Sequence, residues 1–298
     1  MTSKLLHNIF ISYAKTIDRD SAIARYFFSK LVTQIVIEIT SDCNRKCIYC
    51  PHVLTTRPNE TMPDTVLNKI LNDLYKISYS KNICLNLYNE PLLRFNHLID
   101  KVTQIKAILP KSNVYFSSNG DALSIKRLQQ LKNAGLNKII ITHHPEDASI
   151  WATEKIEKGI ISQAKKLNTA IDRLIINKDK SVNLFAKLDT LEIEIFSLNF
   201  LTQGVNRAGS LEIVKNDGLL PRTRPCSRPL NDLCISYDGS VYPCCQFFHG
   251  LELHKKFCIG NVTRKNIFSI YYSTKMRTFR NMALKDGPKA FPCDTCAE

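Results

Sequence analysis

Ile35-Val36-Ile37-Glu38-Ile39-Thr40 runs, two residues later, into Cys43-Asn44-Arg45-Lys46-Cys47-Ile48-Tyr49-Cys50, and the rest of the chain is organised around this junction. The apolar run reads as a buried strand, so it delivers three cysteines onto one tight loop. Three thiolates this close together can hold three irons of a cubane iron–sulfur cluster and leave the fourth iron open. An open iron is a place for chemistry, as an open coordination position is on a catalytic metal. Two other uses of the cysteines compete with this one. A zinc knuckle wants four ligands in one neighbourhood, often as two Cys-x2-Cys pairs. Only Cys47 and Cys50 form such a pair, with His52 the nearest substitute for a further ligand. A disulfide staple suits a small secreted domain rather than 298 residues with no signal peptide.

Composition sets the outer limits. The length suits one large domain, or one large and one small, and 44% hydrophobic residues suffice for a substantial core. Eleven cysteines, gathered at the motif and in the C-terminal third, favour metal over disulfides in a reducing compartment. The expected location is the cytoplasm, and no apolar run reaches transmembrane length. Formal charge is +14, from 41 basic and 27 acidic residues. Lysines spread along the whole chain read first as a solvated basic surface, and second as a face for an anionic substrate or partner.

From residue 34 strand and helix patterns alternate. Strands are expected at 34–40, 83–88, 114–117, 138–142, 172–176 and 191–196. Helices are expected from Pro63-Asp64, near 95–109, over 124–134, near 150–167, and in a short piece around 180–188. Six βα-type units over about 165 residues imply a parallel sheet with helices outside, short of the eight units of a closed TIM barrel. Sites in such sheets form where strand C-termini meet the following loops, which is where the cysteine loop falls. Ahead of the sheet, residues 1–33 place Leu5, Leu6, Ile9, Phe10 and Tyr13, then Ile23, Tyr26, Phe27 and Leu31, at helical spacing, as a short N-terminal arm packed on the main domain. Gly204, Gly209, Gly218, Pro221 and Pro225 mark a linker composition over 199–225. The organisation read is an arm at 1–33, a barrel at 34–210 and a cysteine-rich unit at 211–298.

That last unit holds seven of the eleven cysteines. Leu233 to Tyr242 reads as a β-hairpin around Asp238-Gly239. The hairpin brings Cys226 toward Cys244, and a later loop returns Cys293-x2-Cys296. Four thiolates from three segments would close a [4Fe–4S] cluster with no open iron. A structural zinc in the same four thiolates competes, and the adjacent Cys244 and Cys245 leave the ligand assignment open by one place. Cys84 and Cys234, within strands, read as buried core thiols. Ile267, Phe268, Tyr271, Phe279 and Met282 mark a helix, inside a stretch, 255–289, whose nine Lys or Arg face one acid, Asp286. No interleaving of aromatic and basic residues there argues for nucleic acid.

Cys43-x3-Cys47-x2-Cys50 with Tyr49 before the last cysteine resembles the signature of the radical S-adenosylmethionine (SAM) enzymes. The resemblance implies a six-stranded partial (β/α)6 barrel, open on one side. It also implies a [4Fe–4S] cluster on Cys43, Cys47 and Cys50 whose open iron takes the amino and carboxylate groups of SAM, with Tyr49 beside it. Tyr88-Asn89-Glu90-Pro91 stands where the family usually has Gly-Gly-Glu-Pro, whose backbone and acid contact the SAM ammonium. Glu90 matches, and the two glycines do not. Ser118-Asn119-Gly120 looks like a Ser/Thr-Asn-Gly turn common in the family, implying that Ser118 and Asn119 line the cofactor; a good turn explains it equally. Thr142, ahead of His143 and His144, ends a strand where the family often has a polar contact to SAM ribose or substrate. Asn206-Arg207-Ala208-Gly209 resembles a stretch in many relatives from which Arg207 would reach the SAM carboxylate or the substrate, beside the plainer reading of a surface arginine.

Cys226, the Gly239-x4-Cys244 spacing, Ile259-Gly260-Asn261-Val262 and the last cysteine pair look like the twitch domain, the shortened SPASM extension of these enzymes. The resemblance implies one auxiliary [4Fe–4S] cluster on Cys226, Cys244, Cys293 and Cys296. It further implies a flavodoxin- or ferredoxin-type electron donor, and abstraction of hydrogen from a substrate C–H bond by a 5′-deoxyadenosyl radical. If the auxiliary cluster accepts the next electron, the outcome is oxidation, of dehydrogenase or maturase type. Epimerisation of a sugar, cyclitol or peptide is the alternative, with Cys245 or Cys258 returning hydrogen. A non-enzymatic metal-binding protein is the third possibility. Related twitch enzymes act on sugars and cyclitols and related SPASM enzymes on ribosomal peptides, so a small molecule or a peptide is the expected substrate, with no nucleic acid and no membrane span.

Overall fold

Helix α1 (Ala22–Leu31) begins where the Ser21 hydroxyl accepts the Ala24 N–H. The computed structural model describes residues 18–145, 150–211, 222–294 and 296. The expected apolar series from Leu5 to Tyr13, and Gly218 and Pro221 of the linker, lie outside these residues. The buried side of α1 is Ala24, Phe28 and Leu31, whereas Ile23 and Tyr26 are exposed. Phe28 meets the rings of Phe268 and Tyr271 edge-on at 5.1 and 4.9 Å, so the arm is tied to the end of the chain.

The parallel part of the fold follows the expected alternation. β1 (Gln34–Ile37) is buried on both faces, as a central parallel strand must be. α2 (Asp64–Tyr75) follows Pro63 and buries Val66, Leu67, Ile70, Leu71 and Leu74 along one stripe. β2 (Asn82–Cys84), α3 (Phe95–Ile108), β3 (Asn113–Ser118), α4 (Ile125–Asn133) and β4 (Lys138–Thr142) come next. Gly135, at φ +92°, closes α4 in the left-handed region open to glycine. α5 (Thr153–Lys166) completes this series.

At residue 170 the pattern departs from the expected one. β5 (Ala170–Asn177), β6 (Ser181–Leu188) and β7 (Leu191–Leu198) form an antiparallel meander, and residues 180–188 are a strand rather than a short helix. The reason is in the side chains: Val182, Leu184 and Ala186 are buried at a spacing of two, which a strand satisfies and a helix does not. Tight turns on either side suit it, with Asp179 and Asp189 at φ 60° and 52°. So β7, and not residues 172–176, lies parallel beside β4.

After α6 (Phe200–Gln203) and α7 (Arg228–Asn231) comes the hairpin of β8 (Asp232–Ile235) and β9 (Ser240–Tyr242), turning at Gly239 with φ +84°. β8 pairs parallel with β1, while β9 continues antiparallel to β10 (Gly260–Asn261), which follows α8 (Glu252–Lys255). The result is one open ten-stranded sheet in the order β10-β9-β8-β1-β2-β3-β4-β7-β6-β5. Six adjacent strands run parallel, from β8 to β7, and the sixth is donated by the cysteine-rich unit. This is the α/β partial-barrel class with different membership from that expected. The single helix expected over 267–282 is two, α9 (Ile267–Tyr271) and α10 (Thr274–Leu284), because the Ser273 hydroxyl caps a new start by accepting the Met276 N–H.

Candidate active site

A buried ion pair sets the position of the cysteine loop. Glu38, one residue past β1, takes both oxygens to Arg57 at 2.9 Å each, with neither side chain more than 2% exposed. The same carboxylate accepts the Tyr88 N–H and the Ser236 hydroxyl, at 3.1 and 2.9 Å. Arg57 also donates to the Ser41 and Tyr88 carbonyls and lies over the Phe248 ring at 4.6 Å. One pair therefore fastens the cysteine loop to the Tyr88–Pro91 turn and to the C-terminal hairpin. Glu38 stood out in an apolar strand, and a buried charge there required a partner; sequence reading did not pursue that signal.

The far side of the loop is held by Asp121. Its carboxylate accepts from Asn44 at 2.9 Å and from Arg45 at 2.8 Å, and the Arg45 hydrogen bond holds its pKa below the usual carboxylate range. The Asn119 amide donates to Asn44 at 2.8 Å. Ser118-Asn119-Gly120 thus acts both as a turn and as a support for the loop.

Between these anchors a cavity of about 340 Å3 opens at the C-terminal ends of β1 to β4 and β7. Cys43, Cys47, Cys50, Tyr49, Glu90, Ser118, Asn119, Thr142 and Arg207 all line it. Glu90 is buried and accepts the Ser118 hydroxyl at 2.8 Å, the Asn119 N–H at 2.7 Å and the Leu92 N–H at 3.1 Å. Burial raises its pKa, and those donors oppose the rise. The ring of Tyr49 stacks on Phe200 at 3.5 Å, and its hydroxyl hydrogen-bonds His144. Burial lowers the pKa of His144 to about 4, so its ring is neutral at ordinary pH. His144 lines the cavity, whereas His143 points away and bonds Gln163 at 3.2 Å. Asn86 and Phe200, which the sequence did not single out, line it too.

The three thiols fit a metal cluster by their chemistry. Burial raises the pKa of each, that of Cys50 to about 11, so they are neutral until a metal displaces the protons. Among the described residues no three His, Cys, Asp or Glu side chains close in tightly enough to chelate one ion. A four-iron cube is wider than one ion and takes its thiolates from around a cavity wall.

The second cysteine set lines a cavity of its own. Cys226, Cys244, Cys293 and Cys296 share it with Ala208, Gln246, Phe247 and Phe279. The Cys226 N–H is held by the Ala283 carbonyl at 2.8 Å and the Cys293 N–H by the Ala290 carbonyl at 3.0 Å. Burial pushes the Cys293 thiol up to about 12.

The two cavities share a wall. Cys244 faces the four-cysteine cavity, and the next residue, Cys245, faces the larger one. Arg207 and Ala208 divide in the same way. Both have left-handed backbone, at φ 49° and 53°, a conformation costing about 1–3 kcal/mol per residue outside glycine. Arg207 lies over the Tyr88 ring at 5.9 Å and bonds Gln246 at 3.5 Å. Cys258 is elsewhere, on an outer groove. Cys84 and Cys234 are buried around Val36, with Cys245 beside them, and Cys84 reaches the cavity floor.

Residues 226–297 match the model of the SPASM iron–sulfur cluster-binding domain. The chain is 28% identical over 270 residues to an S-adenosyl-L-methionine-dependent 2-deoxy-scyllo-inosamine dehydrogenase of Niallia circulans, covering 90% of this chain and 93% of that protein. A GTP 3′,8-cyclase of Helicobacter pylori (strain J99) is 25% identical over 190 residues, 58% of this chain and 57% of its own. Among solved structures, BtrN in complex with AdoMet and 2-DOIA superposes with a TM-score of 0.64 at 25% identity, over 90% of this chain and 94% of that one.

Proposed function

This chain belongs to the radical SAM superfamily and carries a C-terminal SPASM domain, and on that premise we propose that it oxidises a secondary hydroxyl of a cyclitol-sized polyol to a ketone. Its cofactors are SAM and [4Fe–4S] clusters. We assign the first cluster to Cys43, Cys47 and Cys50 in the 34–210 barrel, and the auxiliary cluster to Cys226, Cys244, Cys293 and Cys296 in the 211–298 unit. Bound in this way, the cofactors supply a 5′-deoxyadenosyl radical, which takes one hydrogen atom from the substrate carbon, and a nearby acceptor for the electron left behind.

The protein's part is binding, orientation and exclusion of water. Glu90, fixed by three donors, offers its carboxylate to the SAM ammonium. Tyr49, stacked on Phe200, forms one side of the cavity. Arg207 offers a cation to the SAM carboxylate or to a substrate oxygen. The carbon loses a hydrogen atom, then the hydroxyl loses its proton and the carbon one electron, and a C=O bond results.

The shared wall carries this reading. Cys244 and Cys245 are consecutive, and each faces one cavity, so one peptide unit separates the substrate chamber from the proposed electron acceptor. The relative's 2-deoxy-scyllo-inosamine supports a cyclitol as substrate. We place the enzyme in the cytoplasm, whose reducing conditions suit a chain with eleven cysteines gathered around two proposed cluster sites; no described helix is long and apolar enough to cross a membrane.

The test is anaerobic turnover of the reconstituted enzyme with SAM, a reductant and a panel of cyclitols. One ketone should form per 5′-deoxyadenosine. Abundant 5′-deoxyadenosine with no oxidised product from any cyclitol would sink the proposal. Because Cys245 lines the substrate cavity, epimerisation is the second reading. It predicts that Cys245→Ala abolishes product while SAM cleavage continues; oxidation predicts that ketone still forms.

A further inference from the structure

We propose that a basic groove on the SPASM half is the docking surface for an acidic one-electron carrier protein, which removes the electron that substrate oxidation delivers to the four-cysteine site. This rests on the oxidative function proposed above. Arg19, Lys255, Lys256, Arg264, Lys265 and Lys275 are all exposed and line one concave surface. The one acid among the lining residues, Asp238, is occupied: its carboxylate accepts the Ser240 N–H and hydroxyl at 2.9 Å each and lies 3.4 Å from His249. A solvated basic surface spreads its charge over convex ground. Here cations from four separated stretches of chain face the same hollow, where like charges reinforce one another's field.

What lies behind the groove selects the partner. Cys258 lines it and packs against the aromatic cluster of the SPASM domain. In that cluster Phe257, next to Cys258, meets Phe247 with ring centroids 5.0 Å apart, and Phe247 meets Phe279 at 5.7 Å. Phe247 and Phe279 are walls of the four-cysteine cavity. A protein seated on the groove is therefore linked to that cavity through Cys258 and the Phe257–Phe247 ring pair. The groove shares no lining residue with the larger cavity, so its use is to carry electrons rather than to hold substrate. No aromatic residue lines the groove to stack a base, which argues against a nucleic acid.

The electron count closes. Cleaving SAM consumes one electron, and converting the alcohol to a ketone releases one electron and one proton beyond the abstracted hydrogen atom. The step at the groove makes and breaks no bond. One electron passes to the oxidised carrier, which becomes its one-electron-reduced form and can supply the next SAM cleavage.

The experiment compares the full-length wild type with the triple variant Lys256→Glu, Arg264→Glu, Lys265→Glu. Binding of an acidic flavodoxin is measured to both the apoprotein and the reconstituted enzyme, between about 20 and 200 mM salt. The variant should bind at least about tenfold more weakly and lose most of the salt dependence. A charge-keeping control, Lys256→Arg, Arg264→Lys, Lys265→Arg, should bind as the wild type does. On the reconstituted proteins, electron transfer to oxidised flavodoxin should slow in parallel, while dithionite-driven ketone formation stays unchanged. Equal flavodoxin affinity and salt slope in the wild type and the triple variant overturn the proposal. So does preferential binding of duplex DNA at the groove, lost in the variant. If dithionite-driven wild type makes no ketone, the oxidative function fails, and the flavodoxin arm still decides the docking surface.

Discussion

Arg57→Ala isolates the contribution of the buried ion pair to the cysteine loop. The substitution leaves Glu38 fully buried with the Tyr88 N–H and Ser236 hydroxyl still bonded, but with no countercharge. It also strips the Ser41 and Tyr88 carbonyls of a donor each. Removing one member of a buried pair costs about 3–5 kcal/mol, most of it the stranded charge. For a chain of this length each kcal/mol lowers Tm by roughly 2–4 °C, so a loss on the order of 10 °C is expected. The double variant Glu38→Met, Arg57→Met removes both charges and should recover a large share of that loss, because no ion is left unpaired. Arg57→Lys should fall between, since an ammonium cannot make the two-pronged contact or serve both carbonyls. The assay is thermal unfolding of anaerobically reconstituted protein across the four variants, with iron content measured alongside. If Arg57→Ala unfolds within about 1 °C of the wild type, or the double variant is no better than the single, the pair does not hold the loop in the way described.

Three further outcomes concern the two cavities and the buried His254. Iron should total about eight per chain in the wild type and fall to about four in either Cys43→Ala or Cys226→Ala; only the first should also lose SAM cleavage, and equal iron in both variants and the wild type would refute the assignment. Glu90→Gln should raise the KM for SAM by about ten- to a hundredfold, the loss of a hydrogen bond to a charged group, and should also lower Tm, because the single Gln oxygen cannot accept from both the Leu92 and the Asn119 N–H; an unchanged KM would remove Glu90 from cofactor binding. His254 is fully buried, accepts the Phe248 N–H at 2.9 Å, and is held below its ordinary pKa mainly by burial. Its lowered pKa means that the unfolded chain binds a proton the fold rejects, so this contribution is complete above about pH 6.5 and is lost as pH falls. The urea midpoint of the wild type should therefore drop more steeply below about pH 6.5 than that of His254→Gln, and parallel slopes would refute it.

The parallel half of the fold was legible because its signals are local. Ile35 to Ile39 is apolar without a break, α2 repeats its apolar stripe every turn, and Gly135 closes α4; each follows from a few neighbouring residues. The meander was missed for a physical reason. Ser181 to Leu188 alternates its buried residues, but Lys and Asn between them dilute the signal, and its neighbours in the sheet are fixed by pairing, which no single segment contains. The site divides along the same line. The cysteine spacing announced itself, and so did Glu90 and Ser118. Arg57 and Asp121 did not, because their roles exist only across 19 and 76 residues of separation from the groups they hold.

The Cys244–Cys245 ambiguity shows what the sequence left undecided and why it matters. From spacing, two adjacent thiols compete for one ligand position. In the fold both lie in the turn that follows β9, and each lines a different cavity. Arg207 and Ala208 divide between the same two cavities, with left-handed backbone at both. Two separate dipeptides thus each contribute one residue to the substrate chamber and one to the four-cysteine chamber. A wall one peptide thick puts the two chambers within easy reach of electron transfer, which supports the oxidation proposed above.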